Sequence, residues 1–270
     1  MRRNGYEIEP GANLSSALLE GIDMRGAQLT GAKLLGAFLT GTDLTDANLA
    51  DADFEAATLT DANLLGANLS GADLNSCEMS GVILKDGILE GANLFIASLV
   101  RANLSHAILK DANFKSADLT KANLTYADLL NAVLTSALLL EADLEGADLV
   151  TADLTRANLT GANLTGANLS RANLTDANLH GANLENVNLS RANLTNANLE
   201  NASLIDANLT KANLTNATLC NTNVYCADLT DVSIRGRELT TSDLEGTVQL
   251  PFNPKQEMLE SLSEPPPRGL

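Results

Sequence analysis

The stretch Ala157-Asn158-Leu159-Thr160-Gly161-Ala162-Asn163-Leu164-Thr165-Gly166 contains one five-residue pattern twice, and this pattern decides the fold. It is most regular from Thr151 to Leu219. The pattern extends in both directions from this stretch. Its central apolar residue recurs at every fifth position from Leu14 to Leu244, which makes forty-seven pentapeptides without an insertion or deletion. Forty-one centres are Leu, and the others are Met24, Phe54, Met79, Phe114, Val224 and Ile234. Such a repeat leaves no place for a domain boundary and predicts one repeat domain over residues 12–246.

The five-residue period is incompatible with a helix. A step of five residues on an α-helix rotates the side chain by about 140° beyond a full turn, so the leucines would lie on all sides. On extended chain, the central residue i and the small residue i−2 share one face, and the next two residues must turn the chain. The pattern therefore predicts an all-β coil of short strands and corners, with Leu and Ala inside and the other three residues outside.

The motif Ala162-Asn163-Leu164-Thr165-Gly166 and its neighbours resemble the pentapeptide-repeat proteins. The resemblance implies a right-handed quadrilateral β-helix with four pentapeptides per coil, and hence about twelve coils. Residues twenty apart would then stack vertically. The predicted structural core is the inward leucine column, for example Leu154, Leu159, Leu164, Leu169 and Leu174.

The two ends of the repeat require caps, because open coil edges would pair with other chains. Residues 1–11 are predicted to cover the first coil. Residues 247–270 are predicted to contain a short C-terminal cap helix, with Asn253 as N-cap and Pro254 at the first helical position, followed by a Pro-rich tail. In some gyrase-interacting members of the family a C-terminal segment helps to form a dimer, so a homodimer through this segment is the alternative.

The sequence offers no recognisable catalytic machinery. His106 and His180 lie at outward positions on different coils, and there is no metal-ligand cluster, nucleophile elbow or Gly-rich phosphate loop. Carboxylate pairs such as Asp53 and Glu55 lie on a convex wall without a pocket. We therefore expect no enzymatic activity, no metal and no cofactor.

Composition limits the partners and the compartment. The chain has 34 Asp plus Glu against 17 Lys plus Arg, a net charge of −17, which disfavours direct binding to nucleic acid. It has no apolar run long enough for a membrane span, no signal-peptide pattern and only three cysteines. These features predict a bacterial cytoplasmic protein that does not bind membranes.

Outward charges are uneven if four pentapeptides form a coil. The wall centred on Met24, Leu44 and Leu64 has ten acids against Arg25 and Lys85, and so accounts for −8 of the net charge. These acids are Asp23, Asp43, Asp46, Asp86, Asp143, Glu145, Glu185, Asp206, Asp243 and Glu245. The acids either attract a basic partner or only keep a rigid rod soluble.

Two further departures from the repeat are candidates for contact. Apolar residues replace polar ones at outward positions between Ile83 and Val150, and the candidate patch consists of Ile88, Ile108, Leu130, Val150, Phe95 and Ile96. The first four of these fall on one wall in four successive coils; the patch is either a contact surface or drift of the repeat. Separately, Arg171, Arg191 and Lys211 stack on one corner, where like charges repel unless an anion or an Asp lies nearby.

Three functions fit the sequence. The first is a non-catalytic acidic solenoid scaffold that binds a protein partner through its outer walls. The alternative is a DNA mimic that interacts with DNA gyrase or another topoisomerase, as in the quinolone-resistance members of the family. The third is a structural or stress-related rod without a specific partner. The fold alone does not choose between them.

Overall fold

The computed structural model describes residues 2–3, 5–234 and 237–238. Two antiparallel two-stranded sheets lie at its ends: β1 (Arg2–Arg3) pairs with β2 (Tyr6–Glu7), and β3 (Ser233–Ile234) pairs with β4 (Arg237–Glu238). The described part of the chain contains no helix. The predicted cap helix falls within residues 247–270, which lie outside the described residues.

Single-residue parallel bridges connect the coils between these hairpins. They begin with Asn13 paired to Lys33 and end with Asn213 paired to Ser233, and each joins residues that are twenty apart. Because twenty residues are four pentapeptides, each coil has four sides. The β-solenoid expected from the repeat is thus confirmed; its handedness and the total of about twelve coils stay predictions.

Backbone hydrogen bonds hold successive coils together and close a turn at each corner. In the pentapeptide around Leu159, the N–H groups of Leu159 and Gly161 donate to carbonyls of the following coil at 2.7 and 2.9 Å, and that of Asn158 donates to the preceding coil at 2.9 Å. Ala162 N–H donates to Leu159 C=O at 3.0 Å and closes a turn at the corner. Position i+2 has φ of +65° at Gly161, as a type II turn requires at its third residue.

The corners also accommodate residues other than glycine. Among the described residues, thirty-one non-glycine residues have a positive φ, and all of them occupy position i+2. Asn and Asp are common among them because they tolerate the left-handed region, but Ile96 at +51° and Thr151 at +58° are β-branched. A left-handed residue costs roughly 1–2 kcal/mol, and the inter-coil hydrogen bonds on either side of each corner offset that cost.

The core is a stack of inward Leu and Ala side chains. Leu154, Leu159, Leu164, Leu169 and Leu174 are all completely buried, as predicted. The larger centres Phe54 and Phe114 are also fully buried. At the N-terminal end Ile8 is buried and Tyr6 packs against the core, while the predicted cap boundary at residue 11 stays a prediction.

Polar groups that replace the inward alanine are satisfied locally. The Thr42 hydroxyl donates to Leu19 C=O at 2.6 Å, and the Thr222 hydroxyl donates to Leu199 C=O at 2.7 Å. The Cys77 thiol lies 3.0 Å from Phe54 C=O. Within the described part of the chain, no buried side-chain nitrogen or oxygen lacks a hydrogen-bond partner, as is usual for protein interiors.

Candidate interaction surfaces

The twenty-residue period defines four walls and four corners. Walls 1 to 4 are centred on the columns that begin at Leu14, Leu19, Met24 and Leu29, and each wall exposes positions i−1 and i+1. Corners 1 to 4 are the i+2 columns that follow the walls of the same number. These names locate every candidate residue, because a side chain at one of these positions stacks on its counterpart twenty residues away.

The predicted acidic wall is wall 3 with corner 3, and its charge is distributed along the rod. Arg25 contacts Asp23 at 2.8 Å and Asp43 at 3.7 Å, so two of the acids share one guanidinium. The hydrogen bond from Arg25 to Asp23 raises the pKa of the guanidinium. Asp243 and Glu245 lie outside the described residues.

Asp143 and Glu185, further along wall 3, accept hydrogen bonds from neighbouring coils. Asp143 Oδ1 accepts a hydrogen bond from Asn163 Nδ2 at 3.0 Å, and Glu185 Oε1 accepts one from the Ser203 hydroxyl at 3.1 Å. Asp143 and Glu185 are two coil steps apart, about 10 Å at the usual strand spacing. The structure therefore places the acids on one side without gathering them into a compact site.

The predicted apolar patch divides into separate groups. Ile88 and Ile108 are bridged directly at position i−1 of wall 4, and Leu130 and Val150 lie at position i+1 of the same wall. The salt bridge between Lys110 Nζ and Asp128 Oδ2, at 3.1 Å, crosses wall 4 between the two pairs.

Phe95 and Ile96 do not join the wall 4 residues. Phe95 lies on wall 1 and Ile96 on corner 1, which is across the coil from corner 3. Of the six predicted patch residues, Ile108 and Ile96 have the largest exposure, at 37% and 49%. The two belong to different faces, so the predicted patch is at least two surfaces.

A stacked aromatic pair enlarges the wall 4 surface. His106 and Tyr126 are successive corner 3 residues, and their rings stack with centroids 5.3 Å apart and planes 12° from parallel. The Tyr126 ring covers Gly146 in the next coil, and its hydroxyl donates to Glu145 at 3.4 Å. From the sequence, His106 was considered only as a metal ligand; its spacing of twenty from Tyr126 was the signal for the stack.

A second apolar group, which was not predicted from the sequence, lies in the first coils. Leu18 and Phe38 are bridged on wall 2 with exposures of 60% and 42%, and Leu35 lies nearby on wall 1, just before corner 1. Tyr6 borders the group, since its hydroxyl accepts a hydrogen bond from Leu18 N–H at 3.4 Å. All three apolar residues stand where the repeat normally has polar residues, and this was the available signal.

The three cations at corner 4 stack as predicted. Arg171, Arg191 and Lys211 have φ of 61°, 61° and 62°, and their side chains leave the rod at successive coils. Lys211 Nζ lies 4.0 Å from Asp231 at the end of the column. Arg171 and Arg191 form no ion pair with any described residue.

The described residues contain no arrangement with obvious chemical reactivity. They include no group of three or more His, Cys, Asp or Glu that could hold a metal ion, and no helix long and apolar enough to cross a bilayer. Burial raises the pKa of Cys77 to about 12, so this thiol is a poor nucleophile.

Comparison with known proteins agrees with this architecture. The family described as "Pentapeptide repeats" matches in eight copies, at residues 11–46, 47–86, 88–125, 97–135, 117–156, 127–166, 152–191 and 188–224. No curated protein sequence gives a significant match.

Solved structures provide the second comparison. HetL, a pentapeptide repeat protein involved in heterocyst differentiation regulation from the cyanobacterium Nostoc sp. strain PCC 7120, is 33% identical, with a TM-score of 0.56 over 82% of this chain and 92% of its own. The Nostoc protein alr5209 is 34% identical over 40% of this chain and 84% of its own, with a TM-score of 0.34. QnrB1, a plasmid-mediated fluoroquinolone resistance protein, is 22% identical over 73% and 88%, with a TM-score of 0.31. The repeat matches and the likeness to HetL place this chain in the pentapeptide-repeat family.

Proposed function

We propose that the protein is a non-catalytic cytoplasmic scaffold that binds a protein partner through its outer walls. The observation that carries this proposal is the exposed His106–Tyr126 stack at corner 3, beside the exposed Ile108 on wall 4. HetL, with 33% identity, is involved in the regulation of heterocyst differentiation, a role compatible with action through protein contacts.

The physical basis is the combination of rigid aromatic and aliphatic groups on one surface. Tyr126 is 55% exposed and Ile108 37% exposed, on a backbone held by hydrogen bonds in every coil. Aromatic anchors surrounded by polar groups are typical of binding hot spots, because they bury much area and lose little rotamer entropy. Glu145 and the Lys110–Asp128 ion pair supply the polar surroundings.

The test compares substitutions on this surface with a matched one elsewhere. Ile108→Asn and Tyr126→Asn introduce a residue that the repeat itself uses at positions i−1 and i+2. Leu138→Asn is the control, because Leu138 is also an exposed i−1 residue but lies on wall 2. Crosslinking in cells of the source organism followed by mass spectrometry would identify the partner, and titration calorimetry would measure its binding.

Loss of a hot-spot side chain lowers the free energy of binding by about 2 kcal/mol or more. We therefore expect the affinity of Ile108→Asn and Tyr126→Asn for the partner to be at least about tenfold weaker than that of the wild type. The control should bind like the wild type. Equal affinities for all the chains would exclude this surface, and capture of no protein partner by the wild type would contradict the scaffold role.

A DNA mimic that interacts with a topoisomerase is the second candidate. The net charge of −17 and the acids along wall 3, from Asp23 to Asp206, support it. Replacing Asp143, Glu145, Glu185 and Asp206 with Lys should abolish an effect on gyrase supercoiling. No effect of the wild type at micromolar concentration would remove this candidate.

The C-terminal segment has a proposed role of its own. We propose that residues 247–270 cap the last coil, with formation of a dimer through this segment as the alternative. Light scattering before and after truncation at Gln249 distinguishes the two, because a lost cap lowers stability without halving the mass.

A further inference from the structure

Corner 4 and wall 1 together form a continuous face, here called the charged face, whose two ends carry opposite charge. We propose that two copies of the chain associate through this face in an antiparallel arrangement, about a two-fold axis close to Val133. The acidic end of each copy then meets the basic end of the other. This interface is separate from the partner-binding surface proposed on wall 4 and corner 3.

The basic end carries three stacked cations, and within the described residues only Lys211 pairs with a carboxylate of its own chain, with its Nζ 4.0 Å from Asp231 Oδ2. Arg171, Arg191 and Lys211 stack on corner 4, about 4.8 Å apart at the usual inter-strand spacing. The wall 1 residues beside them are neutral: Asn173, Thr175, Asn193, Thr195, Asn213 and Thr215. Their side chains are already bonded along the ladder, for example from Asn193 Nδ2 to Thr175 Oγ1 at 2.8 Å, so they do not neutralise the cations.

The acidic end lies on the same face, toward the N-terminus. Asp51, Asp53, Glu55 and Asp73 occupy corner 4 and wall 1 in two successive coils, and no Lys or Arg occupies this face between residues 51 and 95. Corner 4 has glycine at residues 71 and 91. A Cβ at Gly71 would lie 2.5 Å from Asp51 Oδ1, so the Asp51 carboxylate extends across this glycine.

An antiparallel arrangement centred on residue 131 brings the two ends into register. Lys211 then faces Asp51 of the second copy, Arg191 faces Gly71 beneath the Asp51 carboxylate, and Arg171 faces Gly91. The two glycines leave space for the long arginine side chains. Opposite charges within about 4 Å attract, whereas a parallel arrangement would place the cations of both copies against each other.

The residues at the centre of the charged face can be buried in a dimer without losing hydrogen-bond partners. Val133 is half-buried. In the proposed dimer it faces Val133 of the second copy across the two-fold axis. Asn131 is already bonded within its own chain, since its Nδ2 donates to Asp111 at 3.1 Å and its Oδ1 accepts from the Thr151 hydroxyl. Thr135 donates to Asp153 Oδ2 at 3.1 Å. Pairing of the two faces would therefore leave no orphaned polar group at these positions.

The area is sufficient for a dimer. From Lys33 to Ser233 wall 1 spans ten coil steps, about 48 Å at 4.8 Å each, and it is roughly 12 Å wide. Two copies would bury on the order of 1,200 Å² in total, which is the lower limit of specific interfaces. Association is isologous, because the same face serves on both copies, and it closes at two.

The test uses charge reversal in the full-length chain. The base-reversed chain carries Arg171→Glu, Arg191→Glu and Lys211→Glu. The acid-reversed chain carries Asp51→Lys, Glu55→Lys, Asp53→Asn and Asp73→Asn; Asn is the usual repeat residue at the last two positions and keeps the acceptor oxygen. Sedimentation velocity would measure the mass in about 0.1 M and about 1 M salt, where the Debye length is roughly 10 and 3 Å.

We expect the wild type to be a dimer at low salt that dissociates at high salt. Each reversed chain alone should be a monomer, because its two ends have the same sign. An equimolar mixture of the two should form a heterodimer, since every acidic end then meets a basic one. Circular dichroism would verify that both chains are folded.

Two results would overturn the proposal. The first is a wild type that stays monomeric at high micromolar concentration in low salt. The second is a dimer that persists in either reversed chain alone, since association would then use another surface, such as the C-terminal segment. Neither result bears on partner binding through Ile108 and Tyr126.

Discussion

The side-chain oxygen Oδ1 of Asn163 accepts hydrogen bonds from both the backbone N–H of Thr165, at 3.2 Å, and the Thr165 hydroxyl, at 2.6 Å. This contact supplies a partner for the one N–H of the pentapeptide that neither an adjacent coil nor the turn satisfies. The hydroxyl in turn accepts from Asn183 Nδ2 in the next coil at 3.0 Å. The alternation of Asn or Asp with Thr or Ser is therefore a device for completing the backbone hydrogen bonds, and only secondarily a ladder of like side chains.

The division between inward and outward residues predicts unequal costs for adjacent substitutions. Leu164→Ala removes a completely buried side chain and should lower the free energy of unfolding by about 2–5 kcal/mol through the cavity it leaves. Thr165→Ala removes two hydrogen bonds at a half-buried position and should cost about 1 kcal/mol, because water replaces them in part. Urea unfolding of both variants measures the difference. Equal losses would contradict the assignment of Leu164 to the interior.

The period of five was enough to predict the β-solenoid, the buried leucine column and the wall on which each outward residue lies. Side-chain placement within a wall was not predictable to the same degree. The grouping of Ile88 with Leu130 ignored the Lys110–Asp128 ion pair between them, which depends on how two flexible side chains cross from one coil to the next. The position of the Tyr126 ring likewise depends on whether the next corner residue has a Cβ.

Gly146 should be more sensitive to substitution than Gly166, a glycine of the same corner. Its φ is +64°, and an added Cβ would overlap the Tyr126 ring. Gly166 lies in the next coil of the same corner with φ of +66° and no atom within 4 Å of an added Cβ, so Gly166→Ala is a matched control. We expect Gly166→Ala to lower the free energy of unfolding by about 1 kcal/mol, because alanine is disfavoured in the left-handed backbone conformation of this residue.

Gly146→Ala should cost more than the control and should also displace the Tyr126 ring from its stack with His106, an interaction worth about 0.5–1.5 kcal/mol. Urea unfolding measures the first effect, and the ring-current shift of the His106 proton signals measures the second. Unchanged His106 signals in Gly146→Ala would show that the ring does not depend on the glycine.

The three cysteines should differ strongly in reactivity. Cys220 is exposed and Cys226 is partly exposed, whereas Cys77 is fully buried beneath wall 2. Burial raises the pKa of the Cys77 thiol to about 12, so almost none of it is thiolate at neutral pH. In the folded protein, a thiol-specific reagent should label Cys220 quickly and Cys77 only after urea unfolding. Mass spectrometry of digested samples would locate the label, and rapid labelling of Cys77 in the folded state would contradict the packing of this coil.

Asp153 should make the stability of the rod depend on pH. Burial acts to raise the pKa of this carboxylate, but hydrogen bonds from Thr155, Thr135 and Asn173 together outweigh it, so that the pKa is lowered on folding. A lowered pKa contributes stability at pH values above the unfolded pKa of about 3.9, and this contribution disappears as the pH falls through the folded value.

Asp153→Asn keeps one acceptor oxygen but loses the Thr135 bond to Oδ2 and the charge. The wild type should therefore exceed the variant in free energy of unfolding at pH 7 by more than it does below pH ~3.9, as measured by urea titration at both pH values. A difference that does not change with pH, or that grows in acid, would show that the hydrogen bonds do not favour the charged form.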